Sequence, residues 1–518
     1  MRTRVTAAML ALLVACGDDD QATDPEPATP TLPAPDLRLL VLTDLKGYLE
    51  PCGCTSHPLG GIDRMAARAA VLAAEAPTAM VVVGDLLFST EDHGGPDAGE
   101  PLRWQAEAVL DILAGAGTKA VTPGADFRLG AETFEALRDG ARFPFLARGW
   151  RIGEATLPGT HTLTVGDHRV ALIGLSEPPE GAPVTAPALS ADATAGLDES
   201  SIRIAMVRGD RRTARRIARN VDFVLLGGLD QEDALPPAQA GNGWVLHGGR
   251  QGQGLLVLDL YRRDDGPFTN ISAWSIDLER TRLQAEVDDL EGRIATWREE
   301  GAPAADIARQ ERRLQGFRRE LDALRAPTLP ATGNAFAARW EPIEFDAPKD
   351  PAVERRLAAF DRRVNEHNQE AFADRSPPPV DEGAPHYVGS AQCASCHQPA
   401  YRWWQGHPHG RAYATLQERH KEFHLTCVGC HVTGYERPGG STVTHLRDGA
   451  LTNVGCEVCH GPGSAHVAAP ATANIQRGVT ERLCTACHNE EHSDLFNFDA
   501  YRTTLLVPGH GRPIPDND

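Results

Sequence analysis

The chain runs to 518 residues with a formal net charge of −20, long enough for two or three domains. That negative excess excludes nucleic acid and an anionic membrane surface as natural partners. Cysteine and histidine are crowded toward one end: eight of the 11 cysteines and 13 of the 19 histidines lie from residue 386 onward.

Residues 1–16 read as an export signal. Arg2 and Arg4 precede an apolar stretch, 6–15, too short to span a bilayer. The end of that stretch, Leu13-Val14-Ala15-Cys16, resembles a lipobox, which implies lipidation at Cys16 and a membrane anchor. The plainer reading is a secretory peptide with Cys16 lost or free. Gly17 follows the cysteine and favours the outer membrane over retention at the inner one; both readings place the protein outside the cytoplasm. Residues 17–36, rich in Asp, Pro, Thr and Ala, have the composition of a solvated tether.

From Leu37 to about residue 275, short apolar runs bounded by turn residues (39–42, 79–83, 170–174, 202–207, 223–226, 255–260) alternate with helical stretches such as 62–75, 101–114 and 213–220. Buried strands alternating with helices predict an α/β layered domain. At the strand ends stand Thr43-Asp44-Leu45-Lys46-Gly47, Gly84-Asp85, Pro123-Gly124-Ala125-Asp126, Met206-Val207-Arg208-Gly209 and Gly227-Gly228-Leu229-Asp230. In this order they resemble the strand-end motifs of the calcineurin-like metallophosphoesterases, in their 5'-nucleotidase branch, over residues 39–260. The resemblance implies a two-metal site that hydrolyses phosphate esters through a metal-bound hydroxide. The departures point the other way: Asp44 and Asp85 stay, but Lys46 stands where the first His is expected, Ala125 where an Asn is, and Leu229 where a late His is. A lysine at neutral pH has no free lone pair. Lys46 is therefore expected to neutralise the two aspartates as a salt bridge, leaving a degenerate site. Nearby, Cys52, Cys54 and His57 offer donors for one soft metal ion; a loop disulfide or two shielded thiols is the alternative.

Residues 277–326 change texture. Val287, Leu290, Ile294 and Trp297, then Ile307, Leu314, Phe317, Leu321 and Leu324, recur at helical spacing on either side of Gly301-Ala-Pro303. This predicts an antiparallel hairpin with a coiled-coil seam, serving as a spacer or a homodimerisation arm, or else packed on its own domain. Residues 327–385 carry a strand near 335–345, an amphipathic helix near 351–372 and the linker Ser376-Pro377-Pro378-Pro379.

The last segment, 386–518, holds four C-x-x-C-H motifs: Cys393/Cys396/His397, Cys427/Cys430/His431, Cys456/Cys459/His460 and Cys484/Cys487/His488. This is the attachment signature of haem c: two thiols one helical turn apart take the two vinyl groups, and the next His becomes the proximal iron ligand. Zinc or disulfides would explain the paired cysteines but not a His after each pair. Residues 387–397, 408–416, 427–435 and 453–466 resemble the tetrahaem cytochrome c-554 family, which implies four closely stacked haems passing electrons singly. Distal ligands must come from elsewhere. His409, His466 and His510 match that family's distal positions; His424 and His492 are further candidates, as are His445, His386, His407 and His420. Together they allow bis-His ligation at every iron. So polar a segment needs the haems as its core.

The sequence thus predicts a multidomain exported protein: a degenerate metallophosphoesterase-like α/β domain, a helical hairpin and a mostly α or irregular multihaem domain. Its expected work is electron transfer with redox proteins, rather than hydrolysis. The alternatives are a haem enzyme acting on a small nitrogen or sulfur oxyanion, and a metal-dependent phosphohydrolase with an attached cytochrome.

Overall fold

The computed structural model describes residues 32–51, 57–89, 99–229, 234–325, 328–489, 493 and 495–513. The segment read as an export signal, with Cys16, most of the stretch read as a tether, Cys52, Cys54 and His492 lie outside these residues.

The α/β part is built on two six-stranded sheets. In the first, β1 (Leu37–Thr43), β2 (Thr78–Val83) and β3 (Thr118–Thr122) run parallel. Between β1 and β2 lies helix α1 (Ile62–Glu75), and between β2 and β3 helix α2 (Gly99–Gly115). After α3 (Gly130–Gly140) come a small hairpin, β4 (Arg151–Ile152) and β5 (Ala155–Thr156), then the strands of the second sheet: β6 (Thr160–Val165), β7 (His168–Ser176), β8 (Ile202–Arg208), β9 (Phe223–Gly227), β10 (Leu235–Ala240) and β11 (Gly243–His247). Here α4 (Arg211–Ile217) joins β8 to β9, and β7, β8, β9 and β11 are parallel neighbours.

Alternation along these strands decides the layering. Leu39, Val41, Val81 and Val83 of one sheet meet Leu172, Ile204, Met206 and Leu225 of the other in a single core. Leu40, Leu42, Met80 and Val82 face the opposite way, under α1, α2 and α3. Val224 and Leu226 face α4. Strands buried on both faces read as continuous apolar runs, and the result is helix, sheet, sheet, helix.

The first sheet is completed from far along the chain. Strand β12 (Gly254–Tyr261) pairs antiparallel with β1, and β13 (Phe268–Asn270) leads to the hairpin α5 (Trp274–Glu299) and α6 (Ala304–Ala323). Then β14 (Asn334–Pro342) enters between β13 and β12, pairing with β12 over eight positions. Helix α7 (Pro351–Ala371) packs on α1 and α2. This corrects the boundary read from the sequence at residue 275. The α/β unit continues through residue 371, and the hairpin is an insertion between two strands of one sheet. Linear spacing hides this, because β14 finds its partner across the hairpin.

Helices α5 and α6 pack on each other through Val287, Leu290, Ile294 and Leu314. The pairs Arg298–Glu311 and Arg318–Glu291 set them antiparallel.

The C-terminal segment consists of short helices: α8 (Gln398–Gly406), α9 (Ala412–Gln417), α10 (Leu425–His431), α11 (Cys456–His460), α12 (Ser464–Ala468), α13 (Glu481–Cys484) and α14 (Phe498–Leu505). Among the described residues its buried apolar side chains are few: Tyr413, Leu416, Val428, Val432 and Val443 in one cluster, and Leu451 beside it. No described helix is long and apolar enough to cross a membrane.

Candidate functional site

Two places collect chemistry. The first lies at the carboxyl ends of the parallel strands, where the two sheets open. Asp44, just past β1, is fully buried, and its carboxylate accepts N–H groups from Asp85 (2.9 Å) and Gly228 (2.8 Å). Asp85, past β2, accepts from Ala125 N at 2.7 Å. Asp126, past β3, accepts from Leu86, Leu87 and Gly124 at 3.0, 2.7 and 3.0 Å. Burial, then the neighbouring charge of Asp85, pushes Asp44 up to about 7 and Asp126 to about 6. The backbone yields to this crowding: Asp44 and Lys46 take φ of 47° and 52°, a region costly for residues other than glycine. At Gly84 a Cβ would stand 2.1 Å from Asp44 Oδ1.

The cation of this cluster is Arg208, not Lys46. At the end of β8, Arg208 Nε donates to Asp85 Oδ1 at 2.8 Å and Nη1 to Glu177 O at 2.7 Å. Lys46 bears on Asp44 only through its charge, with no ion pair to either aspartate. The expected salt bridge exists, but a different strand supplies it. Lys46 lies on the sharp turn after β1, while β8 delivers Arg208 directly over Asp85. The carboxylates are thus satisfied by backbone N–H groups and one guanidinium. Among the described residues no group of three or more His, Cys, Asp or Glu is arranged to hold a metal ion. Of the proposed soft-metal donors only His57 is described, and its Nε2 is 2.8 Å from Glu344 Oε2. His247, at the end of β11, went unnoticed in the sequence; it is buried, its Nδ1 meets Leu226 O at 2.9 Å and burial lowers its pKa.

The second place is the C-terminal segment. The four motifs come together two by two: the Cys393 thiol is held up in pKa first by its neighbour Cys456, and the Cys487 thiol first by its neighbour Cys430. In a haem adduct these sulfurs would be thioethers. Cys396 is exposed, while the other seven motif cysteines are partly buried, and its Sγ is 3.8 Å from the Ser395 hydroxyl. The reason is local: the first motif lies on a 3₁₀ turn that ends at Ser395, and Cys396 falls in the cap beyond it. Glu457, between the cysteines of the third motif, is almost fully buried and accepts N–H from Val388 (2.8 Å), Gly389 and Gly463 (both 2.7 Å), tying the first motif's approach to the third. Nothing in the linear pattern marked Glu457, because its partners lie far off in sequence.

Two imidazoles on opposite faces of one iron have ring centres about 6 Å apart, given a metal–nitrogen bond of about 2 Å and about 1 Å from nitrogen to ring centre on each side. Three motif histidines meet another histidine at that separation: His397 and His466 at 6.2 Å, His488 and His409 at 6.2 Å, His460 and His510 at 6.4 Å. The tautomers agree. A carbonyl can only accept, so each Nδ1 facing one carries the proton and leaves Nε2 with its lone pair for a metal. This holds for His431 on Ala412 O (2.6 Å), His460 on Gln476 O (2.8 Å), His466 on Ala471 O (3.0 Å) and His510 on Leu505 O (2.6 Å). Burial first, then His407 and His488, lowers His409 to about 4, leaving its ring neutral. These residues fit haem c with axial imidazoles.

The other candidates stand apart. His424 points into the joint with the α/β unit, its Nε2 donating to Asp361 O at 3.2 Å. His386, His407, His420 and His445 make no described ring contact with a motif histidine, and none brings a second imidazole opposite His431.

The joint itself is polar and buried. Asp361, Asn365 and Asn368 form one stripe of α7. Asn365 Oδ1 accepts from Phe423 N (2.8 Å), Asn368 Nδ2 donates to Phe423 O (2.9 Å), and Lys421 pairs with Glu50 and Asp361. Loop 421–424 leads straight into the second motif.

Residues 392–461 match the family model "Cytochrome c554 and c-prime". The cytochrome c-554 of Nitrosomonas europaea is 34% identical over 92 residues, 15% of this chain and 39% of that protein. The chain therefore spans well under half the length of this relative. Among solved structures, the 5'-nucleotidase precursor of Thermus thermophilus is similar over 66% of this chain and 61% of its own, at 15% identity and a TM-score of 0.42. The sulfate thiohydrolase SoxB of Thermus thermophilus is similar over 65% and 62%, at 16% identity and 0.41. A calcineurin-like phosphoesterase, YfkN of Bacillus subtilis, is similar over 45% of this chain and 88% of its own, at 17% and 0.37. At these scores the three likenesses carry no argument about what this chain does.

Proposed function

Starting from a C-terminal segment that matches a cytochrome c family and implies covalently bound haem c, we propose that the chain is an exported tetrahaem cytochrome that carries single electrons between redox proteins. Haem iron supplies one-electron oxidation and reduction when bound. The chain's own residues supply the rest: the eight motif cysteines as tethers, Cys396 from an exposed edge, His397, His431, His460 and His488 as proximal ligands, and His466, His510 and His409 as distal ligands for the first, third and fourth haems. The observation that carries this reading is the three imidazole pairs at 6.2–6.4 Å. A six-coordinate iron has no open position and serves transfer rather than substrate binding. Cys16 is proposed as the lipid anchor, on the outer membrane. The hairpin α5–α6 is proposed as a spacer or dimerisation arm.

A second reading rests on His431, which faces no imidazole among the described residues. We propose the second haem as the one open position, where a small oxyanion or its reduction product would bind. A third, metal-dependent hydrolysis at the strand ends, lacks support in a cluster whose carboxylates are already engaged.

One set of measurements separates these readings. Haem content of the purified protein should be four per chain; low-spin centres throughout support the transfer reading alone, and one high-spin centre that binds carbon monoxide when reduced supports the open second haem. Fewer than four haems overturns the tetrahaem reading. Four low-spin centres remove the open site. Metal-dependent phosphate-ester hydrolysis would restore the third reading.

A further inference from the structure

Trp403 sits on α8, six residues past the first motif histidine. Its indole lies flat against His510, ring centres 4.7 Å apart and planes 12° from parallel. His407 packs on the same indole at 4.7 Å and 35°. His407 is itself set in place: its Nδ1 accepts the backbone N–H of His409 at 3.2 Å, and the two rings meet at 4.8 Å. Trp404 next door anchors α8 to the approach of the third motif, its Nε1 donating to Val454 O at 2.9 Å. The indole is thus backed by the His407 ring, on a helix that buries none of its side chains and is tied down through Trp404.

His510 has no such foundation of its own. It occupies a tight turn whose hydrogen bonds are internal: His510 N to Val507 O, Val507 N to His510 O, and His510 Nδ1 to Leu505 O. The helix leading to that turn, α14, buries none of its side chains and meets the haem segment through Tyr501, whose ring lies 5.8 Å from that of His488. The ring lying flat on His510 is Trp403, and such stacking limits how far a side chain on a largely exposed arm can turn.

We propose that Trp403 is a positioning residue for the distal ligand of the third haem: its indole clamps the His510 imidazole edge-on to the iron held by His460. This rests on the assignment of His510 as a ligand. Offset stacking of flat rings fixes plane and distance together, and His510 needs both to keep its Nε2 aimed. The clamp also joins the third site to the fourth, since the column His510, Trp403, His407, His409 ends on the proposed distal ligand of the fourth haem.

Low-temperature electron paramagnetic resonance and carbon monoxide binding on wild type, H510A, W403L and W403F test this, with haem content measured on each. H510A should turn one low-spin centre high-spin; if it changes nothing, the ligand assignment itself falls. W403L, still carrying four haems, should lose that same low-spin centre, bind carbon monoxide there when reduced, and leave the His397/His466 centre untouched. W403F, keeping a smaller ring, should stay low-spin and yield to carbon monoxide faster than wild type but slower than H510A. A W403L spectrum identical to wild type, with H510A altered, overturns the clamp and leaves Trp403 as packing. Should W403L lose haem, the W403F rate decides, and a wild-type rate overturns the proposal.

Discussion

Arg208 shows how one side chain changes what a strand-end cluster can do. Three carboxylates within one pocket, two of them held toward the protonated form by burial, would otherwise repel. The guanidinium sits 17% exposed against an Asp85 side chain at 5%. Replacing Arg208 by Leu strands Asp85 as a buried charge, and should cost about 3 kcal/mol in denaturant unfolding. The double variant R208L/D85L should recover most of that loss; no recovery would show that the guanidinium acts through packing alone. The raised carboxyls predict a pH dependence as well. Their folded pKa values exceed the unfolded ones, so the stability they contribute is complete below about pH 4 and is lost as pH rises through about 6 for Asp126 and 7 for Asp44. In D44N the decline in guanidinium midpoint between pH 4 and 7 should be shallower than in wild type, and parallel curves would refute the assignment. Asp44 and Asp85 were legible from their place after apolar runs. Arg208 was visible as a strand-end residue, but its partner was not, since β8 and β2 belong to different sheets.

Helix α7 is the element that joins the two halves. Its apolar residues, Leu357 among them, pack on the α/β core, while Asp361, Asn365 and Asn368, spaced to share a face, meet loop 421–424. Amphipathic spacing announced a helix here but did not say what its polar stripe would meet. The stripe is buried because the loop before the second motif lies on it. Lys421 pairs there with Glu50 and Asp361, and burial pushes Asp361 up to about 7. In K421M two carboxylates lose their cation. The expected loss is about 3 kcal/mol, with new protease cleavage between residues 372 and 425. A wild-type digestion pattern would show that the joint does not depend on this lysine.

At the scale of the whole molecule, apolar burial is unevenly shared. The α/β unit has three large clusters; the C-terminal segment has one small one. Its 10 Lys and Arg against 12 Asp and Glu also leave it near neutrality, so the net −20 belongs almost wholly to residues before 386. The propionates of bound haems would return negative charge to that segment, so a basic redox partner would be drawn to either half. Four haems would add the missing apolar volume to the C-terminal segment. Protein with all eight motif cysteines changed to serine should keep a protease-resistant fragment ending near residue 371 and lose the rest to digestion. An intact C-terminal fragment from that variant would show that the polypeptide holds itself without haem.

Sequence alone determined the features set by local chemistry: the four C-x-x-C-H motifs, the α/β alternation and the helical hairpin. Each is carried by residue spacing within a few turns of chain, so it can be read without knowing what lies opposite. Tertiary structure decided which imidazole faces which, that His424 belongs to the joint, that Arg208 rather than Lys46 answers Asp85, and that β14 closes the first sheet. All four depend on atoms brought within a few ångströms across long stretches of chain, and no linear pattern encodes that distance.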